Sequence, residues 1–255
     1  MSPEVDPQAT SLELAPLLAL HKVQAGLSFG ATNLPPRRLD NLINRLNEAG
    51  LPFRLSFDDG YRQLRDALPP LLPKLRFPPI IFMPTYWIGR ENEWDYSYLF
   101  KHVGHLEESD IRELAELGVL FGSHGHTHRQ LLDGSEAELE EELGLSRRIL
   151  QGIIGRPVDC ISYPFGRVDG RVMAAAEREG YRFGYTMSFP EPSDPPLAIG
   201  RIPVYTFDTP ATIIRRLTRG RGYDWERLKV DITTSLSGGT VILNRLRGDR
   251  GSRSR

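Results

Sequence analysis

Short apolar runs recur along this chain, and four of them stop at a polar, chemistry-bearing motif. Residues 17–20 run into His21, and residues 53–57 into Asp58-Asp59-Gly60. Residues 119–121 lead to the segment from Ser123 to His128, and residues 158–162 to Tyr163-Pro164-Phe165-Gly166. Residues 80–83 are a further run of the same kind, and residues 181–186 and 199–204 read as further strands. Continuous short apolar runs suit strands covered on both faces. Helix-compatible segments lie between them. Residues 37–49 carry Leu39, Leu42, Ile43 and Leu46 at helical spacing, residues 61–75 carry a break at Pro69-Pro70, and residues 109–117, 135–154 and 169–179 complete the set. Strands alternating with helices form parallel βαβ units. A barrel of such units places its site at the C-terminal ends of the strands, where these motifs sit. The expected fold is therefore α/β, a distorted (β/α)7-type barrel over residues 14–218. A tail (1–13) precedes it and an extension (219–255) follows, with a helix near Trp225, an apolar run at 240–243 and a disordered last ten or so residues.

Composition narrows the function by exclusion. A net charge of −1 on 255 residues offers no general attraction to nucleic acid or to an anionic membrane. No apolar run approaches the roughly 18 residues of a membrane span. The single cysteine, Cys160, rules out an intramolecular disulfide. The first residues lack a basic segment, and the nearby apolar stretch is broken by Glu13 and Pro16, which makes a poor signal peptide. A cytoplasmic protein is the expectation.

The chemistry is concentrated in two motifs. Neighbouring side chains on a strand point to opposite faces, so Asp58 and Asp59 share a site only if the strand ends there. Gly60 permits that ending. Three of the six histidines, His124, His126 and His128, fall within five residues after a later strand. A compact turn puts His124 and His128 on one side. Imidazoles with one carboxylate are standard ligands for a divalent metal, and three protein ligands leave a position open. The candidate ligands are Asp59, His124 and His128, while His126 either points back to the strand or helps position substrate. No histidine follows residue 128, so the further ligands that binuclear barrels draw from later strands are missing, and one metal ion is expected.

These motifs together resemble a NodB-type polysaccharide deacetylase, carbohydrate esterase family 4. Ser56-Phe57-Asp58-Asp59-Gly60 matches the family's first motif, Ser123-His124 to His128 its second, and Tyr163-Pro164-Phe165-Gly166 its third, in order across roughly residues 15 to 205. The resemblance implies hydrolysis of the N-acetyl group of a polysaccharide, oligosaccharide or glycolipid. It implies one divalent ion, zinc first, with cobalt, nickel or manganese as substitutes. Asp59, His124 and His128 would hold the metal, Asp58 would be the general base, and the Phe165 backbone N–H would help hold the oxyanion. Tyr61, Tyr86, Trp87, Trp94 and Tyr163 are candidates to stack on sugar rings or to be core. Two other readings stand beside this one, a metal-dependent hydrolase of a non-sugar amide and a non-catalytic carbohydrate-binding relative.

Two departures from the family pattern matter. The family's general acid is usually a histidine on the last strand, and here the apolar run 241–243 meets Asn244. His21 ends the first strand instead, which resembles the circularly permuted branch containing deacetylases of poly-N-acetylglucosamine, and it takes the acid's place. The arginine usual before the Pro-aromatic-Gly is replaced by Ser162 and Tyr163. Arg201 either substitutes for it from a later strand or is a surface arginine. The family's fourth motif, an acid with a tryptophan, has no clear match.

Overall fold

The structure, a computed structural model, describes residues 15–24, 33–92 and 103–230. The expected tail 1–13, Trp94, the run 240–243 and the terminal stretch lie outside the described residues. Seven strands form one sheet: β1 (Leu17–Leu20), β2 (Arg54–Phe57), β3 (Ile80–Met83), β4 (Leu120–Ser123), β5 (Cys160–Ser162), β6 (Phe183–Tyr185) and β7 (Ile202–Pro203). Their order is β6-β5-β4-β3-β2-β1-β7, and every pairing is parallel. The residues leading into β7 draw the two edges together. Ile199 bridges in parallel to Tyr185 of β6, and Ile202 and Pro203 then pair with Leu18 and Ala19 of β1. The sheet is thereby curled into the distorted (β/α)7 barrel that the strand–helix alternation predicts.

Period-two alternation divides the core in two. Leu17, Ile80, Phe82, Cys160, Phe183 and Tyr185 form a small cluster. Strand residues of the opposite phase, Leu18, Leu20, Leu55, Phe57, Ile81, Met83 and Ile161, belong to a larger cluster that also contains the helices' apolar faces. The small cluster is the barrel interior and the larger one is the layer between sheet and helices. Arg54 and Ser56 are in phase with the interior set and fully buried, and so is Arg201 just before β7. Asp58 continues that phase beyond the end of β2.

The outer layer contains α1 (Pro36–Glu48), α2 (Leu64–Ala67), α3 (Glu108–Glu116), α4 (Glu136–Glu140), α5 (Ser146–Ile154), α6 (Gly170–Arg178) and α7 (Pro210–Thr218). In α1 the buried residues are Leu39, Leu42, Ile43 and Leu46, the four at helical spacing. The segment 61–75, expected as a broken helix, is mostly turns, with only α2 and a 3₁₀ turn at Leu72–Lys74. Pro69, Pro70 and Pro73 remove three backbone donors there. The helix expected over 135–154 begins at a Ser135 cap and carries a π turn at Glu141–Leu145, between α4 and α5. Residues 223–230 are helical, as expected near Trp225. They are tied to the barrel through buried Arg216, which pairs with Asp208 at 2.7 Å and with Glu226 at 3.1 Å. No described helix is long and apolar enough to cross a membrane.

Candidate active site

Asp58 and Asp59 both lie at the C-terminal mouth of the barrel, and both are buried. Strand alternation would send Asp59 outward. Its backbone instead takes the left-handed region, φ 68°, and Gly60 follows at φ 57°. Two successive left-handed residues end the strand and turn the second carboxylate back to the mouth. Asp tolerates this conformation better than most residues. Gly60 has no alternative, because a Cβ there would come within 1.8 Å of Met83 Sδ. The turn therefore depends on Asp59 as much as on Gly60. His105, which sequence reasoning left without a role, helps to hold it. The ring is buried, stacks on Tyr61 with centroids 5.3 Å apart, and its Nδ1 meets the Asp59 carbonyl oxygen at 2.7 Å.

The second carboxylate faces two imidazoles. His124 Nε2 lies 3.6 Å and His128 Nε2 3.2 Å from Asp59 Oδ1. That oxygen is buried and, among the described residues, accepts no aligned hydrogen bond. One ligand atom from each of Asp59, His124 and His128 lies within 4.8 Å of the others, the one such group among the described residues. An orphaned carboxylate oxygen opposed by two ring nitrogens fits a divalent cation. The His124 tautomer is set from behind, since Nδ1 lies 2.6 Å from the Ser162 carbonyl oxygen and so donates to it, leaving Nε2 with its lone pair facing Asp59. His128 reaches the site from a left-handed backbone, φ 65°. Burial pushes His124 down to about 4, against the pull of Asp58, so its ring is neutral at pH 7. Burial also pushes the Asp59 carboxyl up, and His128, His21 and His124 outweigh it, holding the group well below its usual range. His126 is not in this group. Its Nδ1 meets Thr85 Oγ1 at 2.8 Å and its ring packs edge-on against Tyr86.

Asp58 is held by a different partner. Arg201 is fully buried and grips it with two bonds, Nη1 to Oδ1 at 2.7 Å and Nη2 to Oδ2 at 2.8 Å. The same guanidinium donates to Ser162 Oγ at 2.8 Å, to Ser56 Oγ at 3.3 Å and, through Nε, to the Thr186 carbonyl at 3.2 Å. Ser162 Oγ in turn donates to Asp58 Oδ2 at 3.3 Å. Arg201 therefore reaches Asp58 from just before β7, with the small Ser162 beside it, in the way expected of a substitute for the arginine missing from the third motif. It is not a surface arginine. Burial raises the Asp58 carboxyl, but Arg201, with help from His124 and His21, brings it down to about 2.

His21 follows β1. Leu20 pairs with Phe57, so the residue after each, His21 and Asp58, stand side by side at adjacent strand tips. His21 is half-buried, and its charge bears on both Asp58 and Asp59. Its neighbour Lys22 is buried over the Tyr61 ring at 5.0 Å. Burial lowers the Lys22 ammonium to about 8 against the opposing effect of Asp59.

The third motif is divided. Phe165 takes φ 62°, is 39% exposed, and sets its ring 5.1 Å from that of His128. Asp59, His128 and Phe165 are thus three of the four non-glycine residues with positive φ among those described. Such conformations cost about 1–3 kcal/mol each and gather at functional sites. Tyr163, expected among the substrate-contacting residues, is fully buried and donates its hydroxyl to the Leu197 carbonyl at 2.9 Å. Strand phase sends it outward into the helix layer. Tyr61 is likewise core, so of the expected aromatic platform Tyr86 is exposed at 41% and Trp87 is half-buried.

The polysaccharide deacetylase family profile matches residues 45–184, a span that contains Asp58, Asp59, His124, His128 and Phe165. Over 132 residues the chain is 30% identical to the Bacillus subtilis protein YxkH, assigned to the same family by name, covering 52% of this chain and 43% of that one. It is 22% identical over 143 residues to the poly-beta-1,6-N-acetyl-D-glucosamine N-deacetylase of Staphylococcus aureus, covering 52% of this chain and 47% of the relative. The matched region spans less than half the length of either curated relative. Among solved structures, the Streptococcus pyogenes deacetylase PplD, in complex with acetate, superposes with TM-score 0.68 at 18% identity, over 80% of this chain and 97% of that one. A polysaccharide deacetylase from Bacillus cereus gives 0.66 at 22% identity, over 80% and 68%. IcaB from Ammonifex degensii gives 0.65 at 18%, over 80% and 96%. At these identities the structural likeness is one of fold. With the profile matched across more than half of the 255 residues, and across both acids and both histidines that meet at the barrel mouth, the chain belongs to the polysaccharide deacetylase family.

Proposed function

We propose that this protein is a metal-dependent hydrolase that removes the acetyl group from an N-acetylated sugar, in a polysaccharide, oligosaccharide or glycolipid, giving acetate and a free amine. The observation that carries this reading is the separation of the two adjacent acids, Asp58 locked to Arg201 and Asp59 turned to His124 and His128. Asp59, His124 and His128 would hold one divalent cation, zinc by its donor set, with cobalt, nickel or manganese as substitutes. A cation held there supplies Lewis acidity, polarising the amide carbonyl and making a water more acidic. Asp58, ionised throughout the neutral range, takes the proton of the attacking water. The Phe165 N–H, aimed by its left-handed backbone, donates to the developing oxyanion. His21 gives a proton to the departing amine from the other side of Asp58.

The reading is tested by acetate release from N-acetylglucosamine oligomers, poly-N-acetylglucosamine and simple acylamides. Release is expected from the glycans, is expected to stop on chelation, and is expected to return with zinc or cobalt. Release from acylamides alone, or release indifferent to chelation, would overturn it. The assignment of His21 has its own test, since a general acid must be protonated and activity is lost as pH rises through its pKa. His21→Ala is expected to lower amide turnover by about 10²–10⁴-fold and to abolish that alkaline limb. Hydrolysis of an aryl acetate, whose leaving group needs no proton, is expected to change little. An unaltered alkaline limb would mean that the acid lies elsewhere.

A further inference from the structure

We propose that Glu142, on the π turn between α4 and α5, is a positioning residue for the metal centre, clamping the backbone between the two histidine ligands. The inference rests on the metal-centre reading above. Glu142 is buried, and its carboxylate points away from the helix onto the segment Gly125-His126-Thr127. Oε2 accepts the backbone N–H of His126 at 2.8 Å and that of Thr127 at 2.9 Å, and Oε1 accepts the Thr127 hydroxyl. The carbonyls of the same three residues go the other way. Those of Gly125 and His126 accept the N–H groups of Thr85 and Tyr86, at 3.2 and 2.9 Å. That of Thr127 accepts the Trp87 indole N–H at 3.3 Å.

With the Gly125 N–H donated to Ser123 Oγ, the donors to the acid and the acceptors for the 85–87 turn account for the polar backbone of this bridge. Charge-assisted bonds to a carboxylate are the strong ones. The bridge has to be held, because His124 and His128 are only four residues apart and must converge on Asp59, with His128 in a left-handed conformation. Gly125 permits the close approach, since a Cβ there would stand 3.1 Å from Glu142 Oε2. The helix supports the bridge a second time through Ser146, whose hydroxyl meets Ser123 Oγ at 2.7 Å while Ser123 Oγ accepts the Gly125 N–H at 3.0 Å. A π turn adds a residue to the helix and is frequent at functional sites. Here it lies where an acid must face the loop while Leu139, Leu143 and Leu150 stay in the core.

The test uses the full chain, stripped of metal and titrated with Co(II), following the visible bands and the Kd from chelator competition. Glu142→Ala is expected to raise the Kd by about 10–100-fold and to alter the bands. Glu142→Gln, which keeps an acceptor oxygen for the two N–H groups, is expected to recover most of the affinity. Leu150→Ala, a fully buried position on the same helix, controls for general loosening and is expected to keep the parent Kd. If Glu142→Ala does not fold, Glu142→Asp replaces it, because the shorter side chain draws the accepting oxygen back from the His126 and Thr127 N–H groups and is expected to weaken binding where Gln does not. If the parent takes up no Co(II), or His124→Ala takes it up equally well, the metal-centre reading fails and this inference with it. If parent and His124→Ala differ as expected but the Glu142 variants keep the parent Kd and spectrum, or Leu150→Ala raises Kd equally, the metal centre stands and the role of Glu142 is overturned.

Discussion

Asp58→Asn is expected to bind the divalent cation like the parent and to lose about 10²–10⁴-fold in kcat/KM for amide hydrolysis. The two effects separate because the ligand oxygen belongs to Asp59, while Asp58 faces Arg201 and Ser162. Asparagine has nearly the same shape but cannot accept a proton from water at neutral pH. It also cannot accept on both arms, so one of the two Arg201 bonds would become a donor facing a donor. Metal content and Kd, measured beside acetate release, check the prediction. Turnover near the parent's would remove Asp58 from the role of base. Loss of metal together with activity would place Asp58 among the ligands.

Arg201→Met is expected to damage both stability and the pH profile, and to do so through Asp58. The pair is fully buried, and removing one partner of such a pair costs about 3–5 kcal/mol, on the order of 10 °C in Tm for a chain of this size. In the parent, burial pushes the Asp58 carboxyl up and Arg201 overrides it, taking it from 3.8 to about 2. A carboxyl with a lowered folded-state pKa contributes stability that is fully present above 3.8 and is lost as pH falls through about 2. Without the guanidinium, burial acts with little opposition, the carboxyl rises, and this contribution disappears or reverses. As a base, Asp58 works only when ionised. The acid limb of kcat/KM is therefore expected to move to higher pH in Arg201→Met. In the Asp58→Asn background the same substitution is expected to change kcat little, because two residues acting on one group are not additive. Stability is followed by thermal melts of the metal-free chain from pH 2 to 8. Fully additive losses in the double variant would mean that Arg201 acts on the reaction by another route.

Much of the barrel mouth is legible along the chain because it is local. Strand phase, a following glycine and a four-residue histidine spacing are short-range properties, so Asp59, His124 and His128 can be grouped from residue order before any fold is known. What fails is the direction of side chains just beyond a strand. Tyr163 and Phe165 are two residues apart in one motif, yet one is buried in the helix layer and the other flanks His128. The left-handed backbone at Phe165 separates them, and a bulky aromatic carries no local sign of that conformation. The helix expected over 61–75 fails for the opposite reason, since its apolar spacing is present but three prolines deny it donors.

By itself the order of residues determines the alternation of strands and helices, the two acids at one strand tip and the two histidines at another, since each depends on neighbours in the chain. The tertiary structure decides which acid meets which partner. Arg201 stands 143 residues after Asp58, His105 stands 46 after Asp59, and Glu142 stands among a run of acids that reads as an ordinary helix face. Nothing in spacing distinguishes these residues from surface neighbours of the same type. They acquire their partners only when the curled sheet brings β7 beside β1 and a π turn aims one carboxylate at the loop, so that burial leaves each charge few places to go.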